Sequence, residues 1–278
     1  MKFEQFESIV HPTDFSPASD FAFAHALRIA VAARALIRIV HVERSPRDPR
    51  EENFPRVRAT LANWKLLNAD ATESDVVKKL GVNVGKNTIG AHDASQGLLA
   101  FLEANACDLL VMASHERTTL QGWFKGSIGE FTARAAHAST LFIKENRRGF
   151  VDQATGDCSL KVILIPVDSE LNCAPAWRRI IAFASLFTPR PRVHLMHVGS
   201  KSPVVRDEAG HAMDLPIELR AGPVVETILA VAREVSADLI AMPTAGHHGV
   251  FDALRGSVTE RVLHHASCPV LAVPTNRR

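Results

Sequence analysis

Gly256 and Ser257 stand directly before Val258, where a helical pattern begins. The first backbone N–H groups of a helix have no partner within it, and the helix dipole places partial positive charge at that end. A glycine there lets an anion approach the backbone, and a serine can either cap the helix or donate its hydroxyl to the anion. The sequence therefore predicts that this turn is either a phosphate site or a plain helix cap.

A second copy of this loop lies earlier in the chain. The segment Cys107–Ile143 aligns without a gap on Ala237–Val273, so that Gly126–Ser127 coincides with Gly256–Ser257. Internal similarity over such a length is typical of a duplicated structural unit. A duplicated unit should also show matching residues outside the loop.

The beginnings of the two copies match as well. Asp14 and Asp168 each follow a short apolar run that contains a proline. A later apolar run ends in His-Val in both copies, at Val42 and at Val198. The repeat therefore covers almost the whole chain.

The length of 278 residues suits two domains, each able to bury a core. The segment Asn146–Leu160 is polar, contains two glycines and has the composition of a linker. We predict domains at residues 1–147 and 158–278.

Each unit alternates short β-branched apolar runs with longer helical patterns. The predicted strands are Ser8–Pro12, Ile37–Val42, Asn83–Gly90, Leu109–Ala113 and Thr140–Ile143 in the first unit, and Lys161–Val167, Val193–Val198, Leu215–Arg220, Leu239–Met242 and Pro269–Val273 in the second. The predicted helices are Ser19–Ala33, Ala94–Asn105, Ser127–Ala136, Ala174–Leu186, Pro223–Val235 and Ser257–His265. Strands that alternate with helices imply right-handed crossovers and a parallel sheet.

The segment after the second predicted strand carries an apolar stripe. Phe54, Val57, Leu61 and Trp64 recur at helical spacing, and the pattern predicts a helix broken near Asn68–Thr72. We expect the stripe to pack against its own sheet rather than against a partner protein.

The composition argues against several functional classes. With 46% hydrophobic residues, 22% charged residues and a net charge of +2, the chain lacks the basic excess typical of binding to nucleic acid or to a membrane surface. No apolar run is long enough to span a bilayer, and the start of the chain lacks a signal-peptide pattern. Four widely spaced cysteines predict reduced, mostly buried thiols and a cytoplasmic location.

With both copies in view, the chain resembles the universal stress protein family in its tandem form, over nearly its whole length. The family's phosphate-binding signature, Gly-2x-Gly-9x-Gly-Ser/Thr, follows the fourth strand. The second copy has Pro243, Gly246, Gly256 and Ser257 at the corresponding positions, and the first has Ala113, Glu116, Gly126 and Ser127. The spacing is retained in both copies, whereas the early glycines are retained only in part.

The resemblance implies an α/β fold of two tandem Rossmann-like or flavodoxin-like domains. Each domain would be a five-stranded parallel sheet flanked by helices, with its ligand at the carboxyl ends of the strands. The final strands, within Ser139–Glu145 and Cys268–Pro274, would pair and relate the domains by a pseudo-twofold axis. We expect an intramolecular pseudo-dimer, which could pair further into a homodimer.

The resemblance also implies an adenine-nucleotide site in the second unit. The expected ligand is ATP or ADP, with Mg²⁺ only as its companion. Asp168 would accept a hydrogen bond from the ribose or base, or else cap the next helix, and Val198 would offer its backbone to the base. The candidate binding residues are Pro166, Val167, Asp168, Val198, Met242, Pro243, Gly246, Gly256, Ser257 and Val258.

Two departures from the signature bear on nucleotide affinity. Pro243 has no N–H group and either removes a hydrogen bond or narrows the pocket. In the first unit, the carboxylate of Glu116 would repel a phosphate chain. We therefore predict that the first site is degenerate and that Asp14, Gly126 and Ser127 are mainly structural.

The histidines raise the alternative of a metal site. They cluster at His194 and His197, at His247 and His248, and at His264 and His265. None of these groups has a recognised zinc-ligand spacing, so metal binding ranks below nucleotide binding.

The sequence thus favours a stress-response, nucleotide-binding protein that is not an enzyme, although the resemblance would allow slow ATP hydrolysis. The alternative is an interaction or scaffold protein that has lost nucleotide binding in both halves. A third hypothesis, an enzyme that hydrolyses a nucleotide, needs a base and a metal that the sequence does not place.

Overall fold

The computed structural model describes residues 6–43, 53–114, 138–145, 147–168, 174–206, 211–244 and 258–275. Its strands are β1 (Ser8–Pro12), β2 (Leu36–Glu43), β3 (Asn83–Gly90), β4 (Leu109–Ser114), β5 (Ser139–Lys144), β6 (Val162–Pro166), β7 (Arg192–Val198), β8 (Ile217–Arg220), β9 (Leu239–Thr244) and β10 (Val270–Pro274). Its α-helices are α1 (Pro17–Ala33), α2 (Val57–Asn63), α3 (Glu73–Asp75), α4 (Ala94–Ala104), α5 (Ala174–Ser185), α6 (Val224–Glu234) and α7 (Val258–His265). The predicted helix Ser127–Ala136 lies outside the described residues.

All ten strands form one sheet, in the order β3-β2-β1-β4-β5-β10-β9-β6-β7-β8. The first unit (β1 to β5) and the second unit (β6 to β10) therefore repeat the same strand order. Pairing within each unit is parallel, whereas β5 and β10 pair antiparallel, with Leu141 opposite Leu271. These two leucines are equivalent positions of the repeat, so the pseudo-twofold axis passes between them. The predicted α/β fold and the pairing of the final strands are confirmed.

Helices cover both faces of the sheet, which explains why its central strands are buried along their whole length. On one face, α1 and α5 contribute Leu27, Ile180 and Phe183 to a core that runs through both units. On the other face, α4, α6 and α7 pack over a second core that includes Leu98 and Val262. Because the first core is shared, the two units are joined by packing as well as by the β5–β10 ladder.

Aligned aspartates hold the first strand of each unit at its amino end. Asp108 accepts hydrogen bonds from the backbone N–H groups of Ser8 and the residue before it, at 3.1 and 3.0 Å. Asp238 accepts them from Val162 and the residue before it, both at 2.9 Å. The repeated aspartate is thus explained by strand anchoring.

Charged side chains also cross between the units. The buried Arg179 of α5 donates from Nε to the Ser139 hydroxyl of β5 at 2.7 Å. Lys144, at the end of β5, donates to the His264 carbonyl at the carboxyl end of α7, where a helix favours a cation. These contacts place residues of the first unit against helices of the second.

The apolar stripe of the first unit packs as predicted. Phe54, Val57, Leu61 and Trp64 are all buried in the first core. The predicted break in this segment is also present, because α2 ends at Asn63 and α3 begins at Glu73. A π-helical turn, Val76–Leu80, continues α3.

The segment that joins the units is a packed strap, defined here as residues 147–160. Phe150, Val151 and Leu160 of the strap are at most 3% exposed. The Nε2 atom of His25, on α1, accepts hydrogen bonds from the backbone N–H groups of Phe150 and Val151, both at 3.2 Å. The polar composition of this segment indicated a linker, whereas three of its residues are part of the core.

Replacing Gly156 of the strap with alanine should lower the free energy of unfolding by about 2 kcal/mol. Gly156 has φ +74°, and an added Cβ would lie 2.4 Å from Cδ2 of Trp64. The indole can hardly retreat, since it is buried and its N–H donates to the Gln153 carbonyl at 3.0 Å. Urea denaturation measures the effect.

Gly85→Ala provides the matched control. Its added Cβ would make only ordinary contacts, of which the nearest is 3.5 Å from the Asn87 Oδ1 atom. This variant should change the free energy of unfolding by less than about 1 kcal/mol. Equal losses in the two variants would contradict the proposed clash.

The described residues contain no helix long and apolar enough to cross a membrane. Three of the described cysteines, Cys107, Cys158 and Cys268, form no disulfide bond. Cys268 is buried, and the other two are partly exposed. Burial nevertheless raises the pKa of the Cys107 and Cys268 thiols to about 12, so both remain protonated near neutral pH.

Candidate functional site

Four of the described candidate residues of the second unit lie at the carboxyl ends of the adjacent strands β6 and β7. Pro166 ends β6, and Val167 and Asp168 follow it, with the Val167 N–H donating to the Met196 carbonyl of β7 at 2.8 Å. Val198 ends β7. The structure thus brings the Asp168 and Val198 segments together at one edge of the sheet.

The remaining candidates are divided between β9, the start of α7 and the part of the chain that is not described. Met242 and Pro243 pair with β10, and the Met242 side chain belongs to the core beneath α6 and α7. Val258 begins α7 and is 37% exposed. Gly246, Gly256 and Ser257 lie outside the described residues, as do Glu116, Gly126 and Ser127 of the first unit.

A crevice is expected where the strand order reverses, between β6 and β9. These strands pair at Ile163–Leu239 and Leu164–Ile240, and both continue beyond those pairs. β1 and β4 behave in the same way in the first unit, with pairs at Ile9–Leu109 and Val10–Leu110. Ligands of open α/β sheets bind at such a switch point, outside the carboxyl ends of the strands.

A small apolar pocket of about 10 Å³ adjoins this part of the second unit. Its lining comes from Ile165, Val167, Trp177, Leu195, Val205, Leu215 and Pro243. The Pro243 ring is therefore part of the pocket wall, and its nitrogen has no proton to donate.

Each unit has one histidine near the carboxyl end of its second strand, His41 in β2 and His197 in β7. His197 Nδ1 lies 2.8 Å from the Val167 carbonyl, and His41 Nδ1 lies 2.8 Å from the Thr13 carbonyl. Since a carbonyl can only accept, each Nδ1 donates in this hydrogen bond. Sequence reasoning weighed His197 only as a metal ligand, although the repeated His-Val ending was a signal for this role.

Asp14 of the first unit makes structural hydrogen bonds just before α1. Its Oδ1 atom accepts hydrogen bonds from the Ser16 backbone N–H at 3.0 Å and from the Ser16 hydroxyl at 2.6 Å. The same hydroxyl accepts from the Ser19 N–H at 3.2 Å and caps α1. In the second unit, Asp168 is exposed at the corresponding strand end.

Aromatic rings cover the strand ends of the first unit. The Phe15 ring stacks on His41, with centroids 4.2 Å apart and planes at 30°. Phe54 meets Phe15 edge-on at 5.5 Å, and the Lys86 ammonium lies 5.9 Å from the Phe54 centroid. Val42 is also enclosed, because Gly97 of α4 packs directly on its side chain.

A buried histidine bridges β1 and β4 of the first unit. His11 Nδ1 lies 3.0 Å from the Val111 carbonyl, and Nε2 lies 3.4 Å from the Ser19 hydroxyl. Burial lowers the pKa of His11 from 6.5 to about 4, although its backbone hydrogen bond and Asp14 oppose that shift. The aligned residue of the second unit is Ile165, which lines the apolar pocket.

The described residues include no group of three or more His, Cys, Asp and Glu side chains that could hold a metal ion. Of the six clustered histidines, His247 and His248 lie outside the described part of the chain.

Comparison with known proteins gives a consistent family assignment. A sequence profile of the universal stress protein family matches residues 5–144 and 201–274. A universal stress protein of Synechocystis sp. is 29% identical in an alignment 141 positions long, which covers 43% of this chain and 88% of that protein. The profile omits β6, α5 and β7, which the structure shows in the same order as β1, α1 and β2.

Solved structures support the fold over the whole chain. A protein of unknown function from Pseudomonas aeruginosa PAO1 aligns with a TM-score of 0.60 and 16% identity, covering 97% of this chain and 93% of that one. A universal stress protein from Archaeoglobus fulgidus aligns with a TM-score of 0.57 and 15% identity, covering 98% and 97%. Together with the duplicated strand order, the profile match shows that the chain belongs to the universal stress protein family.

Proposed function

We propose that the chain is a stress-response protein that binds an adenine nucleotide, ATP or ADP, in its second unit only. The observation that carries this proposal is the difference between the two sets of strand ends. The second unit has an exposed Asp168 and a small apolar pocket beside its crevice, whereas aromatic rings and His11 occupy the strand ends of the first. Duplicated sites that differ in this way favour one working site.

The proposed pose follows from the chemistry of the strand ends. The base would lie between Val198 and the exposed Asp168, whose carboxylate can accept from an amino or hydroxyl group. The phosphates would approach the amino end of α7, with Gly246, Gly256 and Ser257 of the undescribed loop as contacts and Mg²⁺ accompanying them. Partial positive charge at that end of the helix favours an anion.

Gly256→Glu should weaken ATP binding at least about a hundredfold, because a carboxylate and its side chain would face the phosphates. Isothermal titration of the wild-type chain and the variant measures this change.

The duplicated chain offers its own control for that measurement. Gly126→Glu makes the same change at the aligned position of the first unit and should leave ATP affinity unchanged. The proposal fails if the wild-type chain binds neither ATP nor ADP at millimolar concentration. If the two substitutions weakened ATP binding equally, the proposed position of the nucleotide would be wrong.

We propose binding and not turnover, because the sequence contains no Gly-x-Ser-x-Gly, P-loop or G-x-G-x-x-G motif. Phosphate release above background that Asp168→Ala abolishes would favour a hydrolase. The cytoplasmic location and the further homodimer expected from the sequence remain proposals.

Pro243 favours a second candidate function, a scaffold that no longer binds nucleotide. Its ring fills part of the pocket wall, and it offers no N–H group where the family signature has glycine. Nucleotide that remains with the protein through purification would count against this candidate. Pro243→Gly discriminates further, since it should create or strengthen ATP binding only if the loop is otherwise competent.

A further inference from the structure

We propose that the outer edge of β3 binds a second copy of this chain, through an antiparallel β3–β3 ladder with Asn87 on its twofold axis. The two sheets would then join into one, with β3 of each copy at its middle. This inference goes beyond the proposed function and does not rest on nucleotide binding. It assigns a surface to the homodimer expected from the sequence.

β3 is a long edge strand whose inner side is fully paired. It stands at one end of the sheet and pairs with β2 over all eight of its residues, from Asn83 to Gly90. Among the described residues, no strand pairs with its outer side. The register with β2 is regular, so the backbone groups of β3 point alternately to its inner and outer sides.

One hydrogen bond identifies which residues of β3 point outward. The Ala91 N–H donates to the Glu43 carbonyl of β2 at 2.9 Å, so the odd-numbered residues turn their backbone groups toward β2. The even-numbered residues therefore turn their N–H and C=O groups outward, and these residues are Val84, Lys86, Thr88 and Gly90. An unpaired row of such groups is a template for another strand.

The opposite end of the sheet is protected against such pairing. β8 has four residues, and its Ile217 N–H, which faces away from β7, already donates to the Leu215 carbonyl at 2.9 Å. Arg220 of β8 also makes ion pairs with Glu218 and Glu234. Short length and charge are common means of preventing edge pairing. β3 has twice the length, one charged residue and no proline, so its edge lacks this protection.

The outward-facing residues determine the register of the proposed ladder. In a twofold antiparallel pair, the residue on the axis lies opposite its own copy. An axis at Lys86 would bring two ammonium groups together, which is destabilising. An axis at Asn87 instead places Lys86 opposite Thr88 of the second copy, and Val84 opposite Gly90. Only this axis pairs all four outward-facing residues with one another, through about eight backbone hydrogen bonds.

Asn87 has an unmet hydrogen bond at the position of the axis. Its Oδ1 atom is buried and has no hydrogen-bond partner among the described residues. A buried acceptor without a partner costs free energy. On the axis, the two Asn87 side chains would share one face of the joined sheet, with Cα atoms about 4.5 Å apart. The side-chain N–H of one copy can then donate to Oδ1 of the other, which stabilises this register.

Sedimentation equilibrium of the full chain measures the association. An interface made by one strand edge is small, so we expect a reversible dimer with a Kd of about 10–100 µM. Thr88→Pro should weaken the dimer at least about tenfold, because it removes an outward N–H group and leaves the ladder with β2 intact. Thr88→Val is the matched control, since it alters the side chain and keeps the N–H. It should leave the Kd within about threefold.

Two further substitutions test the register. Thr88→Glu would place a carboxylate opposite Lys86 of the second copy and should strengthen the dimer about threefold or more. Asn87→Cys should give a disulfide-linked dimer on mild oxidation, because the two residues on the axis lie within disulfide range. Val84→Cys is the control, since Val84 is 37% exposed but its two copies would lie about 20 Å apart. The native cysteines are present in both variants.

Each outcome decides for or against the proposed interface. A wild-type chain that stays monomeric at about 500 µM overturns the proposal, as does a dimer that a folded Thr88→Pro chain retains unchanged. Assemblies that grow steadily with concentration would indicate head-to-tail pairing of β3 with β8 and also overturn it. If Thr88→Pro does not fold, the cross-link decides, and equal cross-linking of Asn87→Cys and Val84→Cys contradicts the register.

Discussion

Replacing Phe150 with alanine should lower the free energy of unfolding by about 3–5 kcal/mol. The side chain is 1% exposed and contacts rings of both units. On the first unit it meets His25 edge-on, with centroids 4.9 Å apart. On the second it lies 6.2 Å from Phe183 and 5.8 Å from Phe187. Alanine would leave a cavity at the centre of this cluster.

The position of Phe150 predicts a second effect, on cooperativity. The strap is the segment through which α1 and α5 share one apolar core, so truncating Phe150 weakens contacts between the units as well as within them. The β5–β10 ladder would then be left with fewer supporting contacts. We expect the unfolding transition to broaden or to separate into two steps.

Urea denaturation followed by both circular dichroism and tryptophan fluorescence checks this prediction. Phe23→Ala is the matched control, since Phe23 is 4% exposed and contacts His11 within the first unit. The control should lose comparable stability while its two probes still report the same midpoint. If Phe150→Ala lowered the free energy of unfolding by less than about 1 kcal/mol, the inference that the strap holds the two units together would be wrong.

The repeat explains why so much of the fold could be predicted. Each apolar run of one copy was supported by a run at the aligned place in the other, and local periodicity then assigned strands and helices. The pairing of β5 with β10 was implied by the family resemblance, and their exposed edges also favoured it. These features are local or repeated, and both kinds are readable from one sequence.

The strap could not be predicted, because its stability comes from distant contacts. Phe150 and Val151 stand in a polar, glycine-containing segment without periodicity, and their partner His25 is 125 and 126 residues away. A histidine in an apolar helix gives no sign that it will accept two backbone N–H groups from elsewhere. The sequence showed a connection between domains, whereas the structure shows part of the shared core.

The same distinction between local features and distant contacts applies to the candidate site. The strand ends placed Asp168 and Val198 correctly beside each other, because parallel strands end at one edge. The Pro243 ring lines the small apolar pocket, and whether it removes a hydrogen bond to the nucleotide or narrows the site stays a prediction. The stack of Phe15 on His41 escaped prediction, since it depends on a positive φ that a phenylalanine rarely adopts.

The chain should lose stability steeply as the pH falls from about 6.5 toward 4. Burial lowers the pKa of both His11 and His25 from 6.5 to about 4 in the folded chain. Between these two pH values the unfolded chain binds protons that the folded chain rejects, so stability rises with pH. The full contribution is present above pH 6.5 and is lost by about pH 4.

The size of this effect follows from the shift and the number of groups. A shift of this size corresponds to about 3 kcal/mol for each histidine, or about 6 kcal/mol for the pair. The slope approaches about 2.7 kcal/mol per pH unit when both groups titrate. Protonated His25 would also lose its role as acceptor, because Nε2 would turn a proton toward the N–H groups of Phe150 and Val151.

The second unit supplies the variant that tests this account. Ile165 occupies the position aligned with His11, so His11→Ile places in the first unit a residue that the fold already accommodates in the second. Urea midpoints at pH 7.5, 6, 5 and 4.5 should show about half the wild-type slope in His11→Ile. His92→Gln, which changes an exposed histidine, should retain the full slope. If the pH dependence of stability were unchanged in His11→Ile, acid unfolding would begin at another group. If it is halved, the remaining half is assigned to His25, whose protonation would break its hydrogen bonds to the strap.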